Sequence, residues 1–180
     1  MDLMQRRNML MRGASIDWES IARGMVDTTT EFELTEFTTT ADHNYQFFNR
    51  KGLKTVVIDS STTIAQYAFS GCTGLESVVF PSNLQNIQYY AFSGCTSLTS
   101  LTIPASVTTI GQYAFNACRG LVSVILEPTT PPTISSGSFN STTCSFYVPD
   151  ESLEAYKAAN NWSALADRIF PISELGGVSN

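Results

Sequence analysis

By residue type, the four cysteines of this 180-residue chain could support metal, redox or nucleophilic chemistry. Cys72, Cys95 and Cys118 recur every 23 residues, whereas Cys144 lies outside that spacing. A metal site would use close pairs such as C-x2-C. If neighbouring turns pack about 8–10 Å apart, their Cα atoms also exceed the ~7 Å limit of a disulfide. We therefore expect free thiols that fill the same buried position in a repeating structure.

A cysteine or serine nucleophile commonly needs a histidine, and His43 is the only one in the chain. It lies in the polar stretch TTTADHNYQ. The sequence has no Gly-x-Ser-x-Gly turn, no phosphate-binding glycine loop and no H-E-x-x-H pair. We predict that the protein is not an enzyme and needs no cofactor.

Charge and hydropathy argue against two kinds of partner. Ten basic residues against sixteen acidic ones give a net charge of −6, which disfavours nucleic acid and anionic membrane surfaces. No stretch approaches the ~18 consecutive apolar residues of a spanning helix, so we expect no membrane insertion. The basic leader also lacks the apolar core of a secretory signal, because the apolar residues 9–11 are followed at once by Arg12.

The cysteines belong to a repeat of about 23 residues. The word AFSGC stands at 68–72 and 91–95, AFNAC follows at 114–118, and a weaker early copy supplies Phe47. The aligned apolar columns are Ile64, Ile87, Ile110 and Ile134; Phe69, Phe92, Phe115 and Phe139; and Leu75, Leu98 and Leu121. One copy buries too few apolar side chains to offset its backbone entropy, so the copies must stack as a solenoid.

Each repeat contains a short strand, because L-x-S-V-x-F and its relatives alternate in polarity. Pro81 and Pro104 end two of these strands, since proline cannot donate to a ladder. The predicted inward side chains are Val78, Phe80, Leu101, Ile103, Val124 and Leu126. The predicted outward side chains are Thr55, Val57, Ser77, Val79, Ser100, Thr102, Ser123 and Ile125. The piece I-x-x-Y-A-F is too short for a full helix, and we interpret it as one or two helical turns.

This pattern resembles the BspA-like class of bacterial leucine-rich repeats, with Ile-Gly-x-x-Ala-Phe-x-x-Cys-x-x-Leu followed by Leu-x-Ile-Pro. The matching residues are Ile110, Gly111, Ala114, Phe115, Cys118 and Leu121 and, one repeat earlier, Leu98, Leu101, Ile103 and Pro104. The resemblance covers about residues 45–172. It implies an α/β leucine-rich repeat solenoid with short parallel strands on the concave face, short helical turns on the convex face, and a cap at each end.

We divide the chain into a leader with a short helix (1–30), a solenoid of about four to five rungs (31–148) and a C-terminal helical cap (149–180). The helix of the leader would carry its apolar side chains on one face and either cover the first rung or dock elsewhere; these side chains are Trp18, Ile21, Ala22 and Met25. Phe32 and Leu34 would belong to an N-terminal capping strand.

The tail resembles the usual C-terminal cap of the family. It would begin with a last strand at 146–148 and continue with a helix capped by Asp150. Trp162 and Ile169 would then cover the open end of the stack.

A further column holds Tyr67, Tyr90 and Tyr113, on the convex turns. These tyrosines could form a platform for carbohydrate or protein. A tyrosine also suits a half-buried repeat boundary because it has one polar end, and we favour this structural role.

The outward strand positions are free of core packing and form the inner surface that solenoids use for ligands. We predict a non-catalytic recognition module that binds a protein or a surface glycan with this concave sheet. The leader is similar to that of prophage-encoded repeat proteins, which implies a phage-tail or cell-surface adhesin, virion-associated or displayed by a non-standard route, and otherwise a cytoplasmic protein. The alternative is a structural decoration or spacer subunit, docked into a larger virion or surface assembly through residues 1–30.

Overall fold

The computed structural model of this protein describes the backbone of residues 36–39 and residues 41–175. The strands in this part of the chain are β1 (Glu36–Thr39), β2 (Thr55–Ile58), β3 (Thr63–Ile64), β4 (Ser77–Val79), β5 (Asn86–Ile87), β6 (Ser100–Ile103), β7 (Thr109–Ile110), β8 (Ser123–Leu126), β9 (Thr133–Ile134), β10 (Ser145–Val148) and β11 (Ile169–Pro171). Helix α1 spans Leu153–Ala158, and 3-10 helices span Asp150–Ser152, Ser163–Arg168 and Ile172–Glu174. The predicted leader helix and the capping residues Phe32 and Leu34 lie outside the described residues.

The concave sheet takes one strand from each repeat, and all of its pairs are parallel. β1 pairs with β2 and β2 with β4, while β6, β8, β10 and β11 form a second run of neighbours. The predicted alternation is confirmed, because β2, β6 and β8 bury every second side chain. Val78 and Phe80 are partly buried and pack against the same core. The predicted parallel solenoid is therefore the observed fold.

A second sheet runs along the stack behind the first, which the sequence analysis did not predict. It consists of the two-residue strands β3, β5, β7 and β9, in that order and all parallel. Each strand ends at the isoleucine column, and Ile64, Ile87 and Ile110 are buried. A strand of two residues carries no period-two pattern, so only its neighbours in space reveal it.

The convex segments are short turns, and they differ from a helix in their hydrogen bonds. Between residues 67 and 72, alternate N–H groups bond within the segment, as Ser70 N–H does to the Tyr67 carbonyl oxygen at 3.1 Å between N and O. The others bond to the next repeat, as Phe69 N–H does to the Ala91 oxygen at 2.8 Å. Tyr67 also has a positive φ of 57°, which a right-handed helix does not contain. These segments therefore join one repeat to the next through backbone ladders.

Phenylalanine rings form the central column of the core. Phe47, Phe69, Phe92, Phe115 and Phe139 stack in sequence, with ring centroids 5.0–5.4 Å apart and planes within 9° of parallel. Each internal ring contacts the repeat before it and the repeat after it. The core is therefore one continuous column along the solenoid axis.

The C-terminal segment covers the last rung, as the tail pattern predicted. β11 pairs with β10, and Trp162 is fully buried with its ring 5.5 Å from that of Phe146. Asp150, however, does not cap α1, because the helix has no side-chain cap and follows a 3-10 turn. The Asp150 carboxylate instead binds Ser173, whose side chain and whose backbone N–H, 3.1 Å away, both lower the pKa of Asp150. The proposed division at residues 148 and 149 stays a prediction.

Candidate functional site

All eight predicted site residues point away from the core on one face of the concave sheet. Thr55 and Val57 lie on β2, Ser77 and Val79 on β4, Ser100 and Thr102 on β6, and Ser123 and Ile125 on β8. Two columns result, one of hydroxyl residues and one mainly of β-branched residues. Whether they bind a ligand stays a prediction.

The two columns are interrupted in the middle, between β4 and β6. Thr55 lies beside Ser77 and Val57 beside Val79 in the register of β2 and β4. No ladder joins β4 to β6 in the described part of the chain, and β4 and β6 are each the edge of a separate sheet. The backbone edges of two neighbouring repeats therefore face each other without pairing.

A groove of about 500 Å³ lies at this break. Its outer walls carry four of the eight predicted residues, which are Ser77, Val79, Ser100 and Thr102. Its floor reaches the inward side chains Val78 and Leu101. The break thus turns the middle of a flat sheet into a cleft with hydroxyl and apolar walls.

Phe80 follows the last residue of β4, beside this break. Its column holds Ile58, Ile103 and Leu126 in the other repeats, so Phe80 is the largest member. Its ring meets that of Phe92 edge-on, with centroids 5.7 Å apart and an interplanar angle of 81°. The aromatic ring needs more room than an isoleucine, which offers a steric explanation of the break, and β4 ends one residue earlier than β2 and β6.

The outward columns also extend beyond the predicted residues, towards the C-terminal cap. Ser145 lies beside Ser123, and Tyr147 lies between Ile125 and Phe170 in the register of β8, β10 and β11. The rings of Tyr147 and Phe170 are 6.0 Å apart. The alternation in SFYV could have revealed Tyr147, but Phe170 joins this face only through pairing of β11 with β10, which no local pattern indicates.

Among residues 41–175, the charged groups near this face lie at the ends of the strands rather than within the two columns. Lys54 Nζ and Glu76 Oε1 form an exposed ion pair at 2.7 Å, immediately before β2 and β4. Glu127 lines the groove from the turn that follows β8. The walls between them consist of neutral side chains, so the face suits an uncharged or weakly polar partner.

The cysteines take no part in this face. Cys72, Cys95 and Cys118 are free and buried, as predicted, and Cys144, which the repeat spacing did not include, is free and buried too. Burial raises the pKa of the Cys72 and Cys118 thiols to about 12 and holds that of Cys95 well above its ordinary range. Cys144 is buried as well, and burial raises the pKa of its thiol. Protonated thiols of this kind are poor nucleophiles and poor metal ligands.

Other elements of a catalytic or metal centre do not converge within the described residues. His43 is exposed, and its Nδ1 lies 2.6 Å from the carboxylate of the adjacent Asp42. Residues 41–175 contain no cluster of three or more metal-ligating side chains. No helix in the same part of the chain is long and apolar enough to cross a membrane.

A smaller cavity of about 300 Å³ lies between the last repeat and the cap. Arg168 is its cationic residue, but the guanidinium donates to the carbonyl oxygens of Thr142 and Cys144 at 2.9 and 3.3 Å. The same group also lies over the Phe146 ring, 5.5 Å from its centroid. These contacts explain Arg168 as part of the junction between solenoid and cap.

The repeat matches one described family. Six copies of the BspA type leucine rich repeat region cover residues 42–161. The chain belongs to this family of BspA-type leucine-rich repeats. The resemblance inferred from the Ile, Phe, Cys and Leu columns is thereby confirmed.

Three solved structures are similar to this leucine-rich repeat protein. A leucine rich repeat protein of T. pallidum is 33% identical, with a TM-score of 0.53 and coverage of 64% of this chain and 51% of that one. A leucine-rich repeat protein from Bacteroides ovatus is 27% identical, with a TM-score of 0.53 and coverage of 68% and 33%. The pneumococcal vaccine antigen PcpA is 18% identical, with a TM-score of 0.54 and coverage of 77% and 43%, a likeness of fold alone.

The leucine-rich repeat protein spans about half or less of the length of these solved relatives. No curated protein sequence matches it. Proteins built on this repeat are typically non-catalytic interaction or surface modules. The class of function follows from the family, whereas the partner has to be inferred from the surface.

Proposed function

We propose that this leucine-rich repeat protein is a recognition module that binds a protein or a surface glycan in the groove between β4 and β6. The observation that carries the proposal is the break itself, because it opens a cleft among outward residues that have no part in the core. Val79, on one wall, is 51% exposed, which is unusual for a valine in a sheet. Binding a neutral partner would remove this apolar surface from water.

The hydroxyl groups supply the polar contacts of such a site. Ser77 and Ser100 face the groove from opposite walls, and Thr102 lies beside Ser100 on β6. Each hydroxyl can donate one hydrogen bond and accept others, so these side chains suit both glycan hydroxyls and peptide groups. A phage-tail or cell-surface adhesin would use the site on a host surface.

The test is a double substitution on the two walls, Val79→Asp with Thr102→Asp. Two carboxylates would keep the groove hydrated and repel a neutral partner, so binding to arrayed surface glycans and purified surface proteins should be lost. The stability should change little, because both side chains are exposed. The matched control is Leu175→Asp with Thr133→Asp, which also changes one exposed apolar residue and one exposed threonine, away from the groove.

Equal binding by the wild type and the folded groove variant would contradict the proposal. It would move the binding surface elsewhere and favour a structural subunit docked through residues 1–30. Loss of binding in the control variant as well would show a general effect of added charge.

A further inference from the structure

Six aromatic side chains form a second surface, on the convex turns and away from the groove. We call this surface the tyrosine patch, and its members are Tyr45, Phe48, Tyr67, Tyr89, Tyr90 and Tyr113. None of them is fully buried; Tyr45 and Phe48 are 48% and 42% exposed. Aromatic rings left in contact with water in this number are typical of interaction surfaces.

Four of the tyrosines form a ladder with a constant spacing. Ring centroids lie 4.6 Å apart from Tyr45 to Tyr67, 5.1 Å from Tyr67 to Tyr90 and 4.9 Å from Tyr90 to Tyr113. The ladder ends at Tyr113, because the next repeat has Gly137 at the equivalent position. A Cβ atom on residue 137 would lie only 2.5 Å from the Tyr113 ring. Tyr45, Tyr67 and Tyr90 stack with planes within 9° of parallel, whereas Tyr113 is tilted by 41° against Tyr90. The stacked part of the ladder therefore presents ring edges and phenol hydroxyls to the solvent.

Two further rings lie across the ladder. Tyr89 is nearly perpendicular to Tyr67 and Tyr90, with centroids 5.5 and 4.3 Å away and angles of 79° and 70°. Phe48 meets Tyr45 in the same way, at 5.6 Å and 71°. Both faces of Tyr67 are taken by Tyr45 and Tyr90, so Tyr67 offers Tyr89 only an edge. Tyr89 therefore covers ladder edges with one face and leaves the opposite face outward.

The backbone of the ladder is held in an unusual conformation. The φ angles of Tyr45, Tyr67, Tyr90 and Tyr113 are 59°, 57°, 55° and 58°. The left-handed region costs an ordinary residue about 1–2 kcal/mol, and asparagine or glycine would fit it more easily. The same left-handed conformation recurs at other residues of the repeats, as at Asn49, Ala117 and Ser141, so it belongs to the repeat turn and places one tyrosine of each repeat at an equivalent point.

We infer that the tyrosine patch is a second ligand site, independent of the groove, that binds an extended neutral polysaccharide along the solenoid axis. One pyranose unit of such a polymer has nearly the length that separates successive tyrosine rings. Successive tyrosines of the ladder would therefore contact successive sugar units. Side chains spaced along one face of a peptide strand instead repeat about every 6.6 Å, which does not match the ladder.

The chemistry of the patch fits sugars without charge. Phe48 and Tyr89 supply flat apolar faces for the C–H side of a pyranose ring. The tyrosine hydroxyls and the exposed carboxamides of Gln66 and Gln112 supply hydrogen bonds to sugar hydroxyls. Partial burial and the hydrogen bond with Tyr89 raise the pKa of Tyr67, so its hydroxyl stays protonated as a donor.

The inference is tested by affinity electrophoresis of the whole chain in gels that contain a soluble neutral polysaccharide. The panel consists of β-1,4-, β-1,3- and α-1,4-linked glucans and a mannan, with the carboxymethylated β-1,4-glucan as the anionic counterpart. We expect retardation by at least one neutral polymer and none by the anionic one. Phe48→Ala with Tyr89→Ala should weaken that binding about tenfold, because it removes the two outward faces.

A second variant separates binding from structure. Tyr67→Phe with Tyr90→Phe keeps the stacked rings but removes two hydroxyls and their hydrogen bonds with Tyr89, so binding should weaken about threefold to tenfold while the thermal melt still shows a folded protein. The groove variant Val79→Asp with Thr102→Asp should be retarded like the wild type, which distinguishes this site from the proposed function. Failure of every neutral polysaccharide to retard the wild type would overturn the inference. Retardation of both patch variants to the same extent as the wild type would overturn it as well.

Discussion

The thiol of Cys95 donates a hydrogen bond to the backbone carbonyl oxygen of Phe69 in the preceding repeat, with 3.2 Å between sulfur and oxygen. Cys118 bonds to Phe92 and Cys72 to Phe47 in the same way, at 3.1 and 3.0 Å. These three cysteines therefore do more than fill space, because each thiol links two repeats by a hydrogen bond. In the last repeat Thr142 takes this register position, three residues after Phe139, and Cys144 is displaced by two residues.

The buried thiols make the protein sensitive to alkali. The pKa of Cys118 rises from its ordinary value of 9.0 to about 12 in the fold, so the unfolded chain loses this proton first. The stabilisation is fully present below pH 9 and is lost as the pH rises from about 9 to about 12. Between pH 8 and pH 10 the free energy of unfolding should fall by about 1.4 kcal/mol for this thiol. Denaturant unfolding at several pH values measures this fall for the wild type and for Cys118→Ala. The free energy of unfolding of the variant should fall less steeply with pH.

Thiol labelling checks the burial directly. A bulky reagent should modify all four cysteines only after denaturant is added, and Cys144 should be protected like the other three. Fast reaction of any thiol in the native protein would contradict the structure at that position.

Phe115 should be one of the most sensitive core positions. Its ring stacks on Phe92 and Phe139 at 5.4 and 5.3 Å, so Phe115→Ala opens a cavity between two interfaces at once. The free energy of unfolding should fall by about 3–5 kcal/mol in denaturant titration. The exposed Phe48 is the matched control, since Phe48→Ala should change stability by about 0.5 kcal/mol or less. Equal losses in both variants would show that the stack contributes little.

Phe80→Ile should close the groove. Isoleucine at this position would match Ile58 and Ile103 and would leave more room beside β4, so β4 and β6 could then pair. Hydrogen exchange should slow at the backbone amides of β6 that face β4, and the exchange of β8 should stay the same. Unchanged exchange in β6 would mean that the break has a cause other than the Phe80 ring.

Deletion of residues 149–180 should cause aggregation. It removes β11 and leaves β10 as an open strand edge, and it uncovers Phe139 and Phe146, which contact Trp162. Size-exclusion chromatography with light scattering should detect large aggregates of the truncated protein, whereas the full chain should elute as a single peak. A monodisperse, equally stable fragment would argue against a capping role.

Much of the solenoid was predictable because its determinants are local and repeated. The alternation in SLTI and SVIL sets which side chains face the core, and a period of 22 or 23 residues brings equal positions into register. The free, buried state of Cys72, Cys95 and Cys118 followed from the same spacing. The eight outward positions were correctly placed on one face for this reason.

The features that make the surface distinctive were decided by contacts between repeats. The break at β4 lies beside Phe80, whose ring contacts that of Phe92, twelve residues further along the chain and a neighbour only in the stack. Tyr89 lies across the tyrosine ladder because stacking has already used the faces of Tyr67. The sequence by itself determined the repeat and its two faces, since these follow from periodicity along the chain. Only the tertiary structure decided where the sheet opens and which rings stay outward, since these depend on side-chain volumes that compete across neighbouring repeats.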